Sequence, residues 1–281
     1  MDILIACDIG GTKTTVAAAT VSGEIVRKTT NASPYDRDEG LAGIRAAIEQ
    51  LSCGDRIVGV GATLGGPLNA ATGVASPLHQ PGWRDVPIAA LLSSWTGAPC
   101  RIAVDTDAAA LAEYRRGAHG VRRLLYITVS TGIGGGFIID GEIARGANGC
   151  HPEFGHQCVP TGLTERVPCA CGSYDCLEAL VSGTSLQKRY GRSPAELDDA
   201  AWAEAGRLLG IALRNATTLL VPELIALGGG VVVGAGEKLV GPARKVVAEG
   251  TPLVPAPRVV VSALGYDTAL LGAVELAGVR R

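Results

Sequence analysis

The sequence predicts an α/β protein with two similar lobes that face a cleft. Segments with the pattern of buried strands alternate with amphipathic helices along all 281 residues. A strand hairpin that carries a glycine loop occurs near the start of each half, around Gly10 and again around Gly132. No Pro/Ser-rich linker separates the halves. We therefore expect a break within 117–120, with an N-terminal lobe at 1–117 and a C-terminal lobe at 118–281, whose last helix is a candidate to pack on the first lobe.

The first half begins with a buried strand, a tight glycine turn at 10–12 and a second strand, which is a hairpin rather than a strand-to-helix crossover. Apolar residues at helical spacing and a proline suited to a first helical position indicate the helices. The predicted strands are 2–8, 14–20, 57–64 and 100–104, and the predicted helices are 41–51, 87–95 and 105–116.

The second half repeats the alternation. Its apolar runs predict strands at 124–129, 137–139, 224–227 and 259–262, and helices at 200–219 and from Thr268 onwards. Two glycine-rich stretches between them, "STGIGGG" (130–136) and "LGGGVVVGAG" (227–236), are predicted loops.

Composition and charge exclude several classes of partner. The chain has 25 basic and 27 acidic residues and a formal net charge of -2, so it offers no electrostatic reason to bind nucleic acid or an anionic membrane. The N-terminus lacks the pattern of a signal peptide, and no uninterrupted apolar run reaches the roughly 20 residues of a membrane span. We therefore expect a cytoplasmic protein.

The glycine loops, of which "DIGGTKTT" (8–15) is the first, are candidates for phosphate binding. Glycine leaves backbone amides accessible, although each loop taken alone is equally well explained as a turn. None of the loops fits the dinucleotide or P-loop fingerprint. Asp8, beside the first loop, could hold a magnesium ion, since that ion favours oxygen ligands. The alternative for Asp8 is an Asx-turn that satisfies its own loop.

A cysteine cluster predicts a metal site. The spacing His156-x12-Cys169-x-Cys171-x4-Cys176 supplies one imidazole and three thiolates, which is the closed four-coordinate set of structural zinc. Such a site would order the segment between Glu153 and Glu178. Cys150 and Cys158 are interpreted as bystanders.

Asp105 is the candidate general base, because it ends a strand and starts a helix in an apolar neighbourhood. The alternative is plain capping of that helix, which Asp107 could equally supply.

These motifs together resemble the ROK family of sugar kinases, within the actin-like (ribonuclease H-like), two-lobed ATPase superfamily. The resemblance runs nearly end to end. The segments that carry it are "DIGGTKT", "GVGATLGGPLNAATGVASP", "ITVSTGIGGG", "HPEFGH...CACGSYDCLE", "ALGGGVV" and "LGYDTALLGAV". It implies transfer of the γ-phosphoryl of ATP to the 6-hydroxyl of glucose or a related sugar, with Mg²⁺ and a structural Zn²⁺, in a protein that is commonly a homodimer.

The resemblance also implies roles for individual residues. Asp105 falls on the catalytic aspartate, and His156 both ligates zinc and contacts a sugar hydroxyl through its other ring nitrogen. The implied sugar-binding residues are Gly65, Gly66, Asp105, Glu153, His156 and Glu178. The implied ATP-binding residues are Asp8, Gly10, Gly11, Thr12, Lys13, Thr131, Gly132, Gly229 and Gly230.

One departure from the family pattern leaves the substrate open. Val104 stands where the family usually has a sugar-binding Asn, and Asp107 stands where it has a second Asn. A two-residue gap in the alignment would instead make Asp107 the base. The alternatives are an N-acetylmannosamine or N-acetylglucosamine kinase, a polyphosphate-using glucokinase, and a non-catalytic sugar-binding regulator. The last is disfavoured, because the chain starts at the first phosphate-loop strand and leaves no room for a helix-turn-helix.

Overall fold

The computed structural model describes residues 1–78, 80–117, 119–162 and 164–278. The chain divides into two compact units. The first unit comprises Met1–Ala112, Arg145–His151 and the C-terminal segment from Asp267, and the second comprises Glu113–Ala144 and Pro152–Tyr266. This division differs from the single break expected near 117, where Ala118 lies outside the described residues. Helix 268–278 packs on the first sheet, and the chain enters and leaves the second unit more than once.

The strands and helices of the described residues follow in chain order. The strands are β1 (Asp2–Ile9), β2 (Lys13–Thr20), β3 (Ile25–Ala32), β4 (Arg56–Leu64), β5 (Leu68–Asn69), β6 (Val74–Ala75), β7 (Cys100–Val104), β8 (Arg123–Val129), β9 (Ile133–Ile139), β10 (Glu142–Ile143), β11 (Leu224–Gly228) and β12 (Arg258–Val261). The α-helices are α1 (Arg37–Ser52), α2 (Ile88–Thr96), α3 (Asp105–Arg116), α4 (Leu177–Val181), α5 (Gly183–Tyr190), α6 (Asp199–Leu220), α7 (Gly230–Ala235), α8 (Glu237–Gly250) and α9 (Thr268–Gly278).

The first unit is built on a sheet of strand order β3-β2-β1-β4-β7. Both faces of β1 are buried, which explains its continuous apolar run. Ile3 and Ile5 face α1 and α2, and Leu4 and Ala6 face α9. Because β1, β4 and β7 are parallel, their carboxyl ends lie at one edge of the sheet.

Two glycines of β4 allow α9 to lie against this sheet. A Cβ at Gly59 would overlap the carbonyl oxygen of Ala277, and a Cβ at Gly61 would overlap that of Ala273. Both obstacles are helix backbone, which cannot move aside without displacing α9. These positions therefore require glycine for packing rather than for a turn.

The second unit is built on a sheet of order β10-β9-β8-β11-β12, in which β8, β11 and β12 are parallel. Its apolar core lies between this sheet and helices α4, α6 and α8. α6 begins at an aspartate cap, where the Asp198 side chain accepts from the Ala201 N–H at 2.9 Å. No helix of the described residues is both long enough and apolar enough to cross a bilayer.

Two predicted loops are partly wrong. Of the first, 130–132 is a turn as predicted, but Gly134–Gly136 belong to β9, where they pair with β8. Gly135 lies too close to Phe154 and Ile127 for a side chain to fit. Most of 227–236 is regular structure, because β11 runs to Gly228 and α7 starts at Gly230. Helix α8 was not predicted at all. Its Pro242 lies inside the helix, where proline usually indicates a break.

Replacing Gly61 by Ala should destabilise the protein by about 3 kcal/mol, because the new methyl group would overlap the backbone of α9. Denaturant unfolding followed by circular dichroism measures this loss. The matched control is Gly43→Ala in α1, where a Cβ meets no heavy atom within 4 Å. That change should stabilise the helix by about 0.5 to 1 kcal/mol. Equal effects at the two positions would contradict the packing argument.

Candidate functional site

Three chain segments of the first unit leave its sheet side by side. Ile9, Leu64 and Val104 end β1, β4 and β7 in matched register. The residues that follow them are Gly10, Gly65 and Asp105, each at the carboxyl edge of the parallel strands. In open α/β sheets this edge is the usual place for a ligand. The fold thus brings the first glycine loop, the Gly65-Gly66 pair and the candidate base to one edge of one sheet.

Asp105 is a partly buried carboxyl whose pKa is raised. Burial raises its pKa from 3.8 to about 6, partly offset by the Thr106 N–H, which donates to Oδ1 at 2.7 Å. The neighbouring Asp8 and Asp107 carboxylates raise the pKa further, and His151 lowers it. A carboxyl with a pKa near 6 is ionised at neutral pH and is a stronger base than an ordinary aspartate.

Asp8 lies near the end of β1, and burial also raises its pKa. The Thr63 hydroxyl donates to its Oδ1 at 3.0 Å, and the nearby Lys13 favours its ionised form. Asp267 opposes that ionisation as a second acidic group. A carboxylate with an acidic neighbour, next to an exposed glycine turn, offers the oxygen donors that a divalent cation takes.

The glycine turn after β1 is held from outside by one serine. Ser33 donates from its hydroxyl to the Gly10 carbonyl at 2.6 Å and from its N–H to the Thr12 carbonyl at 3.0 Å. The Gly10 N–H closes the turn on the Lys13 carbonyl at 3.0 Å. Gly11, Thr12 and Lys13 are exposed. The part of the turn that a ligand can reach therefore follows Gly10.

Neither close packing nor a positive φ explains why residues 65 and 66 are glycine. A Cβ at either position would meet no atom of the described residues within 4 Å, and neither residue has a positive φ. Glycine at these positions therefore leaves room for something other than the protein, such as a ligand that lies against the backbone.

The second glycine loop follows β8 and lies against Glu178. Its turn is closed by the Ser130 N–H, which donates to the Gly132 carbonyl at 2.8 Å. Glu178 Oε2 accepts from the Ile133 N–H at 2.8 Å, and a Cβ on Gly132 would come within 2.6 Å of that oxygen. The structure thus joins an expected sugar-binding residue directly to an expected phosphate loop, which the sequence did not predict.

Gly229 and Gly230 form the turn between β11 and α7. Gly229 has a φ of +91°, and a Cβ there would lie 2.6 Å from Thr128 Oγ1, so only glycine fits. Gly230 is less constrained, since a Cβ there would meet only the ring of Tyr266, at 3.8 Å.

Four predicted metal ligands lie together in the second unit. The donor atoms of His156, Cys169, Cys171 and Cys176 are all within 4.8 Å of one another. Cys171 Sγ lies 3.7 Å from Cys176 Sγ, and Cys169 Sγ lies 3.6 Å from His156 Nδ1. Tetrahedral zinc with ordinary bond lengths would separate two sulfurs by about 3.8 Å and a sulfur from a nitrogen by about 3.6 Å. The donor set and its spacing fit zinc.

The metal cluster connects the segments that carry the two glutamates. The His156 N–H donates to the Glu153 carbonyl at 3.0 Å, and Cys176 directly precedes the helix that contains Glu178. Cys150 and Cys158 are exposed and are not among these four donors.

Sequence reasoning missed His151. Its Nδ1 lies 3.1 Å from Asp107 Oδ1 and its Nε2 lies 3.4 Å from Thr106 Oγ1, both in the first turn of α3. The sequence signal was a histidine five residues before His156 in the same motif, but nothing in the spacing connects it to residue 107. A second buried pair, His119 with Glu113, lies in the second unit.

The chain is similar in sequence and in fold to several known proteins. A sequence profile described as "ROK family" matches residues 4–279. The chain is 31% identical to a glucokinase of Halalkalibacterium halodurans over 86% of this chain and 84% of that protein. It is also 31% identical to an N-acetylmannosamine kinase of Yersinia pestis, over 96% of each chain. A ROK family glucokinase from Streptomyces griseus, solved with glucose and AMPPNP, matches with a TM-score of 0.81 and 28% identity, over 98% of this chain and 99% of that one.

The purified protein should contain about one zinc ion per chain, and Cys169→Ser should reduce this several-fold, because three ligands hold zinc less tightly than four. Elemental analysis of the freshly purified proteins measures the content. Cys158→Ser is the matched control, since it removes an exposed thiol from the same segment and should keep the zinc. Less than about half an equivalent in the parent protein would count against a closed zinc site.

Proposed function

This chain belongs to the ROK family, and we propose that it is an ATP-dependent hexose kinase that phosphorylates the 6-hydroxyl of glucose or a related sugar. The observation that carries the proposal is Asp105, a partly buried carboxyl with a pKa raised to about 6 at the sheet edge shared with Asp8 and Gly65. Relatives named as sugar kinases, which include a glucokinase 31% identical to the chain, support the same reaction.

Asp105 acts as the general base in this proposal. It accepts the proton of the sugar 6-hydroxyl while the oxygen forms its bond to the γ-phosphorus of ATP. The bond from that phosphorus to the β–γ bridging oxygen breaks, and its electron pair leaves with ADP. Because the pKa is raised to about 6, the carboxylate is present above that pH and is lost as the pH falls through it. Activity should therefore decline on the acid side.

The proposed sugar contacts come from two carboxylates, one imidazole nitrogen and open backbone. Gly65 and Gly66 leave room for a ligand against the chain. Glu153 and Glu178 supply carboxylates for sugar hydroxyls. His156 faces the cysteine sulfurs with Nδ1, and its Nε2 is the atom proposed to contact a further sugar hydroxyl. Val104 is apolar and buried, so either another group binds the hydroxyl that an asparagine would bind here, or the preferred sugar differs.

The phosphates of ATP are bound chiefly by backbone amides. In the first loop these are Gly11, Thr12 and Lys13, with Gly10 closing the turn, and Lys13 adds its charge. The remaining groups are Thr131 and Gly132 in the second loop and Gly229 and Gly230 on the adenosine side. A magnesium ion, held by Asp8, would neutralise charge on the phosphates. Positioning and electrostatics dominate the catalysis of such a transfer.

Zinc has a structural role in this proposal. The four ligands form a closed set without a position for substrate, so the ion orders the segment rather than taking part in the reaction. Bound by His156, Cys169, Cys171 and Cys176, it would connect the backbone next to Glu153 with that next to Glu178 and fix which nitrogen of His156 carries the proton. That the protein forms a homodimer remains a prediction.

A second candidate is an N-acetylmannosamine kinase, because the Yersinia pestis enzyme of that name is as similar in sequence as the glucokinase. The two candidates share the reaction and differ only in the acceptor.

A coupled ADP-release assay with glucose, mannose, fructose, N-acetylglucosamine and N-acetylmannosamine distinguishes them. Replacing ATP by polyphosphate tests the phosphoryl donor. Release of ADP with none of these sugars would contradict the proposed function.

Asp105→Asn should lower kcat with the preferred sugar by at least about 10²-fold, because it removes the base. The matched control is Asp36→Asn, which changes an aspartate that caps α1 by accepting from the Glu39 N–H at 2.9 Å. Asparagine caps as well as aspartate, so this control should keep full activity. If Asp105→Asn stays within about tenfold of the parent, Asp105 is a cap rather than the base. A large loss at Asp107 alone would support the gapped alignment.

A further inference from the structure

His151 connects two side chains in the first turn of α3. Its Nδ1 lies 3.1 Å from Asp107 Oδ1 and its Nε2 lies 3.4 Å from Thr106 Oγ1. The Thr106 N–H in turn donates to Asp105 Oδ1 at 2.7 Å. The imidazole is therefore linked to the candidate base through Thr106, which contacts His151 with its hydroxyl and Asp105 with its N–H. All four residues belong to the first unit.

The first turn of α3 places two acids in a poorly solvated position. The Asp107 side chain is only 2% exposed, and Asp105, two residues earlier, is partly buried. The carboxylates of Asp107 and of Asp8 in β1 both oppose the ionisation of Asp105. His151, 13% exposed, is the one basic side chain among the groups that act on Asp105 in the described part of the chain. A buried carboxylate without a partner would cost several kcal/mol.

We propose that His151 is a positioning residue for the phosphoryl transfer. Its bond to Asp107 offsets the second acidic charge of the turn, and its contact with Thr106 holds the residue whose N–H orients Asp105. This inference rests on the proposed function and adds to it residues that do not touch the substrate. It also gives Asp107 a role of its own, distinct from that of the base.

The simpler alternative is that the pair only stabilises the fold. The second unit contains such a pair for comparison: His119 Nε2 lies 2.6 Å from Glu113 Oε1, and the glutamate is 1% exposed. Glu113 is further satisfied by the Ser262 hydroxyl at 2.6 Å. Both pairs are buried, but none of the groups that act on Asp105 comes from the His119 pair.

The two members of the His151 pair should have opposite effects on the base. Without the imidazole, the Asp107 carboxylate is no longer offset, and the pKa of Asp105 rises. Without the Asp107 charge, one opposing carboxylate is gone, and the pKa falls. A purely structural pair predicts a loss of stability from both changes and no displacement of the pH profile.

The experiment compares the acid side of the kcat/KM profile for the preferred sugar, with saturating Mg–ATP, in the parent and in His151→Gln, Asp107→Asn and His119→Gln. We expect the apparent pKa to move up by about 0.5 to 1 pH unit in His151→Gln and down by a similar amount in Asp107→Asn. It should stay within about 0.2 unit in His119→Gln, whatever that change does to the melting temperature.

Unmoved profiles in both His151→Gln and Asp107→Asn, or movement of both in one direction, would overturn the positioning role. If His151→Gln does not fold, Asp107→Asn decides alone, because a fixed or raised apparent pKa there contradicts the proposal. A parent protein inactive on every sugar overturns the proposed function, and this inference with it. An active parent with unmoved variants overturns the inference alone.

Discussion

The burial of one carboxyl, that of Asp105, is the constraint on which the account depends. Moving its pKa from 3.8 to about 6 makes its ionised form cost about 3 kcal/mol at neutral pH. Because the folded state binds this proton more tightly than the unfolded state does, the free energy of unfolding falls as the pH rises from about 4 to about 6. It remains at the lower value above pH 6. A fold has no need of such a group for its own stability. The same burial makes the carboxylate a useful base near neutral pH.

The surrounding fold holds this carboxyl in place through close backbone packing. α9 lies on the sheet because Gly59 and Gly61 carry no side chain, and Gly272 of α9 lies directly against the backbone of Ala108 in α3. Since Ala108 is three residues beyond Asp105, the contact fixes the turn that carries the base. In the second unit, Glu178 lies against the loop at Gly132, and the group of His156, Cys169, Cys171 and Cys176 lies between the helix of Glu178 and the segment of Glu153.

Sequence patterns predicted the elements whose structure depends on neighbouring residues. They failed where a contact with a residue far along the chain determines the structure. The apolar run of β1 and the helical spacing of α1 follow from burial, and the four metal donors lie together as their spacing indicated. The glycines of 134–136 look like a loop, because nothing local shows that Phe154 and Ile127 leave room only for a bare strand. His151 was missed for the same reason, since its partner Asp107 lies 44 positions earlier in the chain.

The most direct test of the central claim is the titration of the Asp105 carboxyl itself. The side-chain carboxyl carbon can be followed by NMR in protein labelled at aspartate, with Asp105→Asn to assign the resonance. We predict a midpoint near pH 6, set mainly by burial. A midpoint near pH 4, the value of an ordinary exposed aspartate, would show that the carboxyl is solvated and would contradict the account.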